Sequence, residues 1–271
     1  MNPTELRPRL HRALKELCLP TVRACVEEAC AQAGREGLSY DAFLLDLLER
    51  EVETRLQHRL ERLLSESHLP VQKSFATFEM ERLPTRLLQQ ISTLREGSFL
   101  DRRENVLAFG NPGSGKTHLL CALCQDLVRQ GRRVLYTTCN LLVQELLIAK
   151  RDLTLARLLK RLSRYDALLL DDLGYVQQSR EEMEVLFTLL AERYERGSVL
   201  ITSNLAFSQW ESIFKDPMTT AAAIDRLVHH SVILELNLTS YRREQAASAQ
   251  SLKVTQQSHT GGEVHASETS L

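Results

Sequence analysis

The sequence predicts an α/β fold in which a parallel sheet is flanked by helices and preceded by a small all-α domain. From residue 104 to residue 244, short apolar runs that read as strands alternate with longer segments of helical periodicity. Strands that alternate with helices indicate a parallel sheet covered on both faces. Residues 38–70 contain no glycine and carry apolar side chains at helical spacing, so the domain of residues 1–70 is predicted to be helical.

Composition and charge argue against a strongly basic nucleic-acid-binding protein and against a membrane-spanning protein. Lys and Arg total 34 against 35 Asp and Glu, a net charge of -1, so no global basic field indicates nucleic acid, although a local patch would suffice. The N-terminus is charged without an apolar run behind it, and no stretch of about 20 apolar residues could span a bilayer. We therefore expect a reduced, cytoplasmic protein that makes no membrane contact.

One pair of the six cysteines, Cys121 and Cys124, has a spacing that metal sites use. No second pair or nearby histidine supports a metal site, and both residues fall on one face of a predicted helix among leucines. They are therefore predicted to be buried free thiols.

The helical domain is predicted to contain a long amphipathic helix from Tyr40 to Leu64, preceded by helical segments at 10–17 and 22–33. Ser39 is a plausible cap at the start of the long helix, and Pro70 follows its end. We expect this domain to bind DNA or a partner and to contribute to assembly.

A basic stripe on the long helix consists of Arg55, His58, Arg59 and Arg62. These side chains would contact DNA phosphates, or would form ion pairs along their own helix, since Glu51 lies four residues before Arg55. The basic segments 131–134 and 157–164 are a second candidate for backbone contacts with DNA. Both interpretations of the stripe stay open.

Residues 71–103 are predicted to connect the helical domain to the sheet. They include a helix from Pro84 to Leu94 and two aromatic residues, Phe75 and Phe78. The two rings would stack on an adenine base or would pack at the joint between domains.

Five strands and the helices between them are predicted in the domain of residues 104–244. The strand sequences are VLAFG, RVLYTT, ALLLDDLG, SVLITSNL and VILELN. The tail of residues 245–271 is rich in Ser, Thr, Gln, Gly and His and has few large apolar side chains, so it is predicted to be disordered.

The first strand leads into a motif that binds nucleotide phosphates, G-x-x-x-x-G-K-[ST]. A strand before the loop and a helix after it are the context in which backbone N–H groups point at a phosphate. Lys116 would contact the β- and γ-phosphates, and the hydroxyl of Thr117 would bind Mg²⁺. The predicted nucleotide-binding residues are Gly110, Asn111, Pro112, Gly113, Ser114, Gly115, Lys116, Thr117 and His118.

Polar residues end two of the other strands and would meet this loop at the same edge of the sheet. Asp171 would hold Mg²⁺ through water, and Asp172 would orient or deprotonate an attacking water. Asn204 would sense the γ-phosphate or align the water, although a polar strand end also serves as a helix cap. Paired acids and a polar strand end favour water as the phosphoryl acceptor, and thus hydrolysis over transfer to a small molecule.

The whole pattern resembles the AAA+ ATPases, in particular the IstB/DnaC branch and its IstB-like ATP-binding helpers of bacterial insertion-sequence transposition. The matching motifs are KSFATFE, GNPGSGKTHL, LLLDDLGY, AERYERGSVLITSNLAFSQW, AAAIDRLVHH and SYRRE, which span most of residues 35–244. The resemblance implies a P-loop AAA+ ATPase core that uses ATP and Mg²⁺. It also implies duplex DNA bound without sequence preference, a cognate transposase and a homo-oligomer as partners.

The resemblance assigns further roles by motif. Lys116 and Thr117 belong to Walker A, the two aspartates to Walker B, and Asn204 to sensor 1. Arg226 resembles an arginine finger that acts on a neighbouring subunit, and Arg242 resembles the sensor-2 arginine. Two features depart from the family pattern. Asp172 stands where many AAA+ proteins have Glu, and little sequence that is expected to be ordered follows the last strand, so the helical lid is expected to be missing or vestigial.

These departures leave alternatives to the transposition helper. A replicative-helicase loader of the DnaC kind would share the ATPase core and prefer single-stranded DNA. A non-hydrolysing ATP-dependent scaffold would fit the shorter acid at position 172, and a metabolite kinase ranks last.

Overall fold

The computed structural model describes residues 3–174, 179–205, 209–210, 225 and 227–240. The chain divides into two compact units, Met1–Ser65 and Glu66–Leu271. Arg226, Arg242 and the tail of residues 245–271 lie outside the described residues.

The first unit is built from three helices, which are α1 (Pro3–Glu16), α2 (Pro20–Glu36) and α3 (Tyr40–Ser67). Its core packs apolar side chains of all three helices, namely Leu14, Val22, Val26, Ala29 and Leu47, with Leu19, Cys25 and Phe43 against them. Gly37 ends α2 in the left-handed conformation that favours glycine, and its N–H bonds the carbonyl of Ala33.

A buried carboxylate ties α3 to the start of α2. Glu51 is 2% exposed, and its Oε2 accepts hydrogen bonds from the amides of Thr21 (2.8 Å) and Val22 (3.1 Å). Its Oε1 accepts a bond of 2.8 Å from Nε of Arg55. Burial opposes ionisation of Glu51, but these hydrogen bonds outweigh it and hold the pKa of the carboxyl below its ordinary value. Glu51 therefore caps α2 as a charged acceptor.

The second unit contains a five-stranded parallel sheet in the order β2-β3-β4-β1-β5. The strands are β1 (Asn105–Gly110), β2 (Val134–Thr138), β3 (Ala167–Leu173), β4 (Ser198–Ser203) and β5 (Ser231–Leu236). The predicted α/β fold is confirmed. Because β4 lies between β3 and β1, its carboxyl end is placed between the ends of the strands that carry the two nucleotide motifs.

Helices cover this sheet. They are α4 (Thr85–Arg95), α5 (Ser98–Asp101), α6 (Lys116–Arg129), α7 (Cys139–Arg151), α8 (Leu155–Leu162) and α9 (Arg180–Arg193). Two short 3₁₀ turns, Phe75–Thr77 and Met80–Arg82, precede α4. Helix α6 packs against four of the strands, while α7 packs against β2, β3, α8 and α9.

The central strands are buried on both sides, which matches their continuous apolar sequences. All six residues of β4 are buried, as are the first five of β1. Cys121 and Cys124 are buried free thiols, as predicted, and burial raises the pKa of Cys121 to about 12. Among the described residues, no helix is long and apolar enough to cross a bilayer.

A buried arginine closes the amino-terminal edge of the sheet. The guanidinium of Arg193, at the end of α9, donates hydrogen bonds to the carbonyls of Leu162, Tyr165, Asp166 and Ser198. Burial lowers its pKa to about 10, so it stays charged at neutral pH. The arginine therefore joins the loop before β3 to the start of β4, and so holds the two strands in register.

Candidate nucleotide-binding site

The candidate site lies at the carboxyl edge of the sheet, where β1 ends at Gly110 and α6 begins at Lys116. The loop between them directs the first amides of α6 toward the space above β1, where the helix dipole favours an anion. Asn111 and Pro112 are exposed on this loop, whereas Ser114 is buried.

Three positions of the loop require glycine. Gly110, Gly113 and Gly115 have φ angles of +149°, +82° and +94°. A Cβ on Gly110 would lie 2.2 Å from the carbonyl oxygen of Leu236, and one on Gly113 would lie 2.2 Å from Oγ of Ser240. The loop is therefore built for close backbone approach, as a phosphate cradle must be.

Two polar side chains lie inside the loop. Nζ of Lys116, which is 7% exposed, donates to the carbonyls of Gly110 (2.8 Å) and Asn111 (2.9 Å). Oγ of Ser114 is buried without a hydrogen-bond partner among the described residues. A buried hydroxyl without a partner is costly in a protein interior, and a phosphate oxygen is a suitable acceptor for it. The loop thus fits the polyphosphate of a nucleotide.

Asp171 is the centre of a hydrogen-bonded cluster beside the loop. Its Oδ1 accepts bonds from Oγ1 of Thr117 (2.7 Å) and from Oγ1 of Thr202 (2.6 Å). Its Oδ2 accepts a bond of 3.1 Å from the hydroxyl of Tyr136. Burial, together with the charge of Asp171, raises the pKa of Tyr136, so this tyrosine stays a neutral donor.

The cluster joins three strands to α6 and supplies oxygen ligands of the type that Mg²⁺ prefers. Oγ1 of Thr117 and the carboxylate of Asp171 are within 2.7 Å of each other, so both are placed to hold one Mg²⁺, directly or through water. Tyr136 and Thr202 fix the carboxylate from behind, as outer-shell hydrogen bonds do in metal sites.

Asp172 differs from Asp171 in exposure to solvent and in backbone conformation. The pairing between β3 and β4 shifts register between Leu170 and Leu173, so the two aspartates sit in a β-bulge. Asp172 is exposed, has a φ of +60°, and donates its amide to Oγ1 of Thr202 at 2.9 Å. Asp172 is therefore the exposed acid of the pair, whereas Asp171 is buried.

Asn204 follows the last residue of β4 at the same edge and is half-buried. The preceding residue, Ser203, accepts a hydrogen bond from the buried indole of Trp210 and donates one to the carbonyl of Leu173. These bonds anchor the end of β4 and so set where Asn204 lies between β3 and β1. Of the predicted site residues, Arg226 and Arg242 lie outside the described residues.

The segment before α4 packs along the start of α6. Nε2 of His118 lies 3.0 Å from the carbonyl of Ser74 and 3.1 Å from Oγ1 of Thr77. The ring of Phe78 meets that of His118 edge-on at 5.2 Å and is close to Gly115. Phe78 therefore packs against the phosphate loop.

Sequence reasoning missed one member of the Asp171 cluster and did not anticipate the role of another. Tyr136 lies in β2, the next strand along the chain after the phosphate loop. Its hydroxyl near the end of that strand is the sequence feature that could have indicated a role in the site. The polar end of the strand that contains Thr202 was expected at the same edge, but the bridging bonds of Thr202 depend on β4 lying beside β3.

Several cations considered for DNA binding are engaged in ion pairs. Arg55 is bonded to Glu51 and to the carbonyl of Cys18. Arginines of the second candidate patch pair with acids as well, namely Arg132 with Asp101, Arg133 with Glu66 and Arg161 with Glu145. Ion pairing along the helix, one of the two interpretations of the stripe, therefore holds for Arg55.

Comparison with known proteins agrees with this geometry. An insertion sequence ATP-binding protein of Sinorhizobium fredii (strain NBRC 101917 / NGR234) is 42% identical over 89% of this chain and 81% of its own length. The ATP-binding protein of insertion sequence IS21 of Pseudomonas aeruginosa is 37% identical over 83% of this chain and 84% of its own. The crystal structure of the DnaC helicase loader superposes with a TM-score of 0.51, covering 62% of this chain and 98% of that one. Its identity of 19% shows a shared fold only.

The family model for IstB-like ATP binding proteins matches residues 12–249, which cover most of each unit and every strand of the sheet. Both insertion-sequence relatives are more than 30% identical to this chain, and the match extends over more than two thirds of the length of each relative. With its phosphate loop, the hydrogen-bonded cluster around Asp171 and its AAA+ type of fold, the chain belongs to the family of IstB-like ATP-binding proteins.

Proposed function

We propose that this protein is an ATP-dependent helper of insertion-sequence transposition, which assembles on duplex DNA and recruits or stimulates a transposase. The observation that carries its ATPase chemistry is the bonding of Thr117 to Asp171 beside the phosphate loop. The two residues come from α6 and β3, so the fold itself joins the nucleotide-binding element to the acidic strand.

In this proposal the loop amides and Lys116 hold the β- and γ-phosphates of ATP, and Thr117 and Asp171 hold Mg²⁺. The metal would neutralise charge on the phosphate oxygens. Asp172 orients a water or takes its proton as the water attacks the γ-phosphorus, and Asn204 aligns that water. The bond from the γ-phosphorus to its bridging oxygen breaks, which yields ADP and inorganic phosphate.

We expect hydrolysis by the isolated chain to be slow. Asp172 is one methylene shorter than glutamate and is exposed at the end of its strand, so water needs further positioning. Arg226 is proposed to reach the γ-phosphate bound by a neighbouring subunit and so to complete that subunit's site. Arg242 is proposed to contact the nucleotide bound by its own subunit. An arginine finger contributes about 10³–10⁵ in rate, so assembly would control turnover.

The DNA and transposase parts of the proposal rest on the relatives, which are named as ATP-binding proteins of insertion sequences. The domain of residues 1–70 is proposed to serve assembly and partner binding, residues 71–103 to connect it, and residues 104–244 to bind ATP. We propose that the protein works in the cytoplasm, where both ATP and DNA are present.

The ATPase part is tested by steady-state hydrolysis with and without duplex DNA. Lys116→Ala is expected to lose ATP binding, and Asp171→Asn is expected to bind ATP but hydrolyse it at least about 100-fold more slowly. Lys15→Ala, an exposed lysine of α1, is the matched control and should behave as wild type. ATP binding without turnover, even with DNA and transposase present, would instead indicate a non-hydrolysing scaffold.

The DNA part is tested by fluorescence anisotropy on labelled duplex and single-stranded DNA at several salt concentrations. We expect duplex binding that requires ATP, weakens steeply with salt and disappears in Lys116→Ala. A preference for single strands would favour a helicase loader instead. Absence of binding to either would leave the ATPase proposal standing and overturn the DNA proposal.

A further inference from the structure

Two segments of the chain outside β1 and α6 pack against the phosphate loop. A Cβ on Gly115 would lie 3.0 Å from the ring of Phe78, which belongs to the segment before α4. A Cβ on Gly113 would collide with Oγ of Ser240, in the segment that follows β5. The loop is thus enclosed on two sides by neighbours that carry no part of the phosphate-binding motif.

The segment before α4 is fastened along α6. Nε2 of Gln125, a side chain that is 4% exposed, donates to the carbonyls of Pro70 and Lys73 at 2.9 and 3.1 Å. Nε2 of His118 lies 3.0 Å from the carbonyl of Ser74. Because both anchors belong to α6, the segment before α4 is held in a fixed position beside the phosphate loop.

The segment after β5 has a different attachment. Strand β5 pairs with β1 as far as Leu236, which lies opposite Gly110, and residues 237–240 continue beyond the sheet. The guanidinium of Arg82, in the second 3₁₀ turn before α4, donates to Oγ1 of Thr239 at 3.1 Å and to its carbonyl at 3.4 Å. This Arg82–Thr239 bridge therefore ties the segment after β5 to the anchored segment before α4.

The bridge has a charged donor and two acceptors on one residue. Nη2 of Arg82 meets both oxygens of Thr239, while Nη1 lies 3.8 Å from the carboxylate of Glu79. A hydrogen bond from a charged donor is stronger than one between neutral groups. Since the side chain of Arg82 is 23% exposed, solvent screens part of this gain. The bridge is therefore expected to change an equilibrium constant about fivefold.

The loop that the two segments enclose is rich in glycine, so its conformation is costly to fix. Gly110, Gly113 and Gly115 have access to more backbone conformations than other residues, and ordering them on nucleotide binding costs entropy. Neighbours that hold the loop in its binding conformation before ATP arrives remove part of that cost. Thr239 directly precedes Ser240, so the bridge controls one of these neighbours.

We propose that Arg82 is a positioning residue for nucleotide binding. Through Thr239 it holds the segment after β5 against Gly113, and the phosphate loop is thereby preformed to receive ATP. Arg82 acts through Thr239 rather than through a contact with the nucleotide. The inference rests on ATP binding at the loop, and it is independent of DNA, transposase and subunit assembly.

Affinity is measured on the full-length chain by the anisotropy of a fluorescent ATP analogue in the presence of Mg²⁺. Arg82→Ala is expected to bind the analogue about fivefold more weakly than wild type. Arg86→Ala, which removes an exposed arginine in the first turn of α4, is the matched control and should bind as wild type. Equal affinity of Arg82→Ala and wild type would overturn this inference alone. A wild-type chain that binds no analogue would contradict the ATP site itself, and the inference with it.

A double-mutant cycle tests whether Arg82 acts through Thr239. Thr239→Val removes the hydroxyl acceptor but leaves the carbonyl, so it is expected to weaken binding about twofold. Thr239→Ser keeps the hydroxyl and should bind nearly as wild type. In an Arg82→Ala background, Thr239→Val is expected to cause no further loss. A full additional loss in that background would show that the two residues act independently, and the proposed route would be wrong.

A merely structural role for Arg82 predicts different results. Because the bridge lies at the surface, Arg82→Ala should leave the thermal unfolding midpoint of the nucleotide-free chain nearly unchanged. In steady-state hydrolysis, KM for ATP is expected to rise about fivefold while kcat stays at the wild-type value, since the cluster around Asp171 is untouched. Arg82→Lys retains a charged donor and should recover part of the affinity. A loss of nucleotide-free stability or of kcat that matches the loss of affinity would assign a structural role and overturn the proposal.

Discussion

The hydroxyl of Thr202 bonds both Asp171 and Asp172, and replacing Thr202 by valine tests how much these two bonds contribute to stability and turnover. The hydroxyl donates a 2.6 Å bond to Asp171 and accepts a 2.9 Å bond from the amide of Asp172. A hydrogen bond to a charged group contributes about 1.5–3 kcal/mol, and the loss of a partner for the part-buried amide of Asp172 costs about 1 kcal/mol, the lower end of the range for buried amides. Valine has nearly the same shape and adds one methyl group, which returns about 0.8 kcal/mol.

We therefore expect Thr202→Val to lower the free energy of unfolding by about 2–3 kcal/mol. Urea unfolding followed by fluorescence is the assay, because Trp210 is the chain's one tryptophan and its indole bonds Ser203 at the end of the same strand. Thr202→Ser keeps the hydroxyl and should unfold at nearly the wild-type midpoint. We also expect Thr202→Val to bind ATP and hydrolyse it at least about tenfold more slowly, since Asp171 loses one of its donors. A valine variant with wild-type stability and turnover would refute the reasoning.

Three other substitutions probe separate features. Tyr136→Phe removes the donor to the second oxygen of the buried Walker B aspartate and should lower kcat several-fold in a steady-state assay while leaving KM for ATP nearly unchanged. Gly197→Ala would place a methyl group 2.3 Å from the guanidinium of Arg193, so thermal unfolding should show a loss of about 1–3 kcal/mol; Gly34→Ala, which meets no atom within 4 Å, should show no loss. Glu51→Gln should destabilise the helical unit by about 1–3 kcal/mol at pH 7. Because hydrogen bonds hold the folded pKa of Glu51 below its ordinary value, the contribution of Glu51 to stability is lost as pH falls through that pKa, so the difference between variant and wild type in urea unfolding should shrink in acid.

The fold was predictable because local signals agreed. Each strand of the sheet is a short apolar run, and each helix between them has one apolar face, so periodicity alone indicated a parallel sheet covered by helices. Strand order was not available from such signals, because the insertion of β4 between β3 and β1 depends on pairing between residues about 30 and 90 positions apart in sequence. That insertion is what brings Thr202 to Asp171.

The site was predictable to the extent that its residues follow strand ends. Asp171 lies within β3, and Lys116 and Thr117 begin the helix that follows β1, so the convergence of the three at one edge of the sheet followed from the fold class. Tyr136 was missed because a tyrosine inside a strand is ordinary and only its neighbour in the sheet gives it a role. The pairing of Arg55 with Glu51 followed from their spacing on one helix, whereas the burial of Glu51 depends on α2, whose position the sequence of α3 does not contain.

The bulge in β3 gives a physical reason for aspartate at the second Walker B position. Asp172 has a φ of +60°, in the left-handed region that few residues other than glycine adopt at low cost. Asparagine and aspartate tolerate it better than longer side chains, because their short polar groups bond the local backbone. The conformation is held in place by the bond from the Asp172 amide to Thr202, which also fixes Asp171. A glutamate would extend the carboxylate by one methylene but would fit this backbone less well, so the short acid and the bulged strand are two parts of the same arrangement.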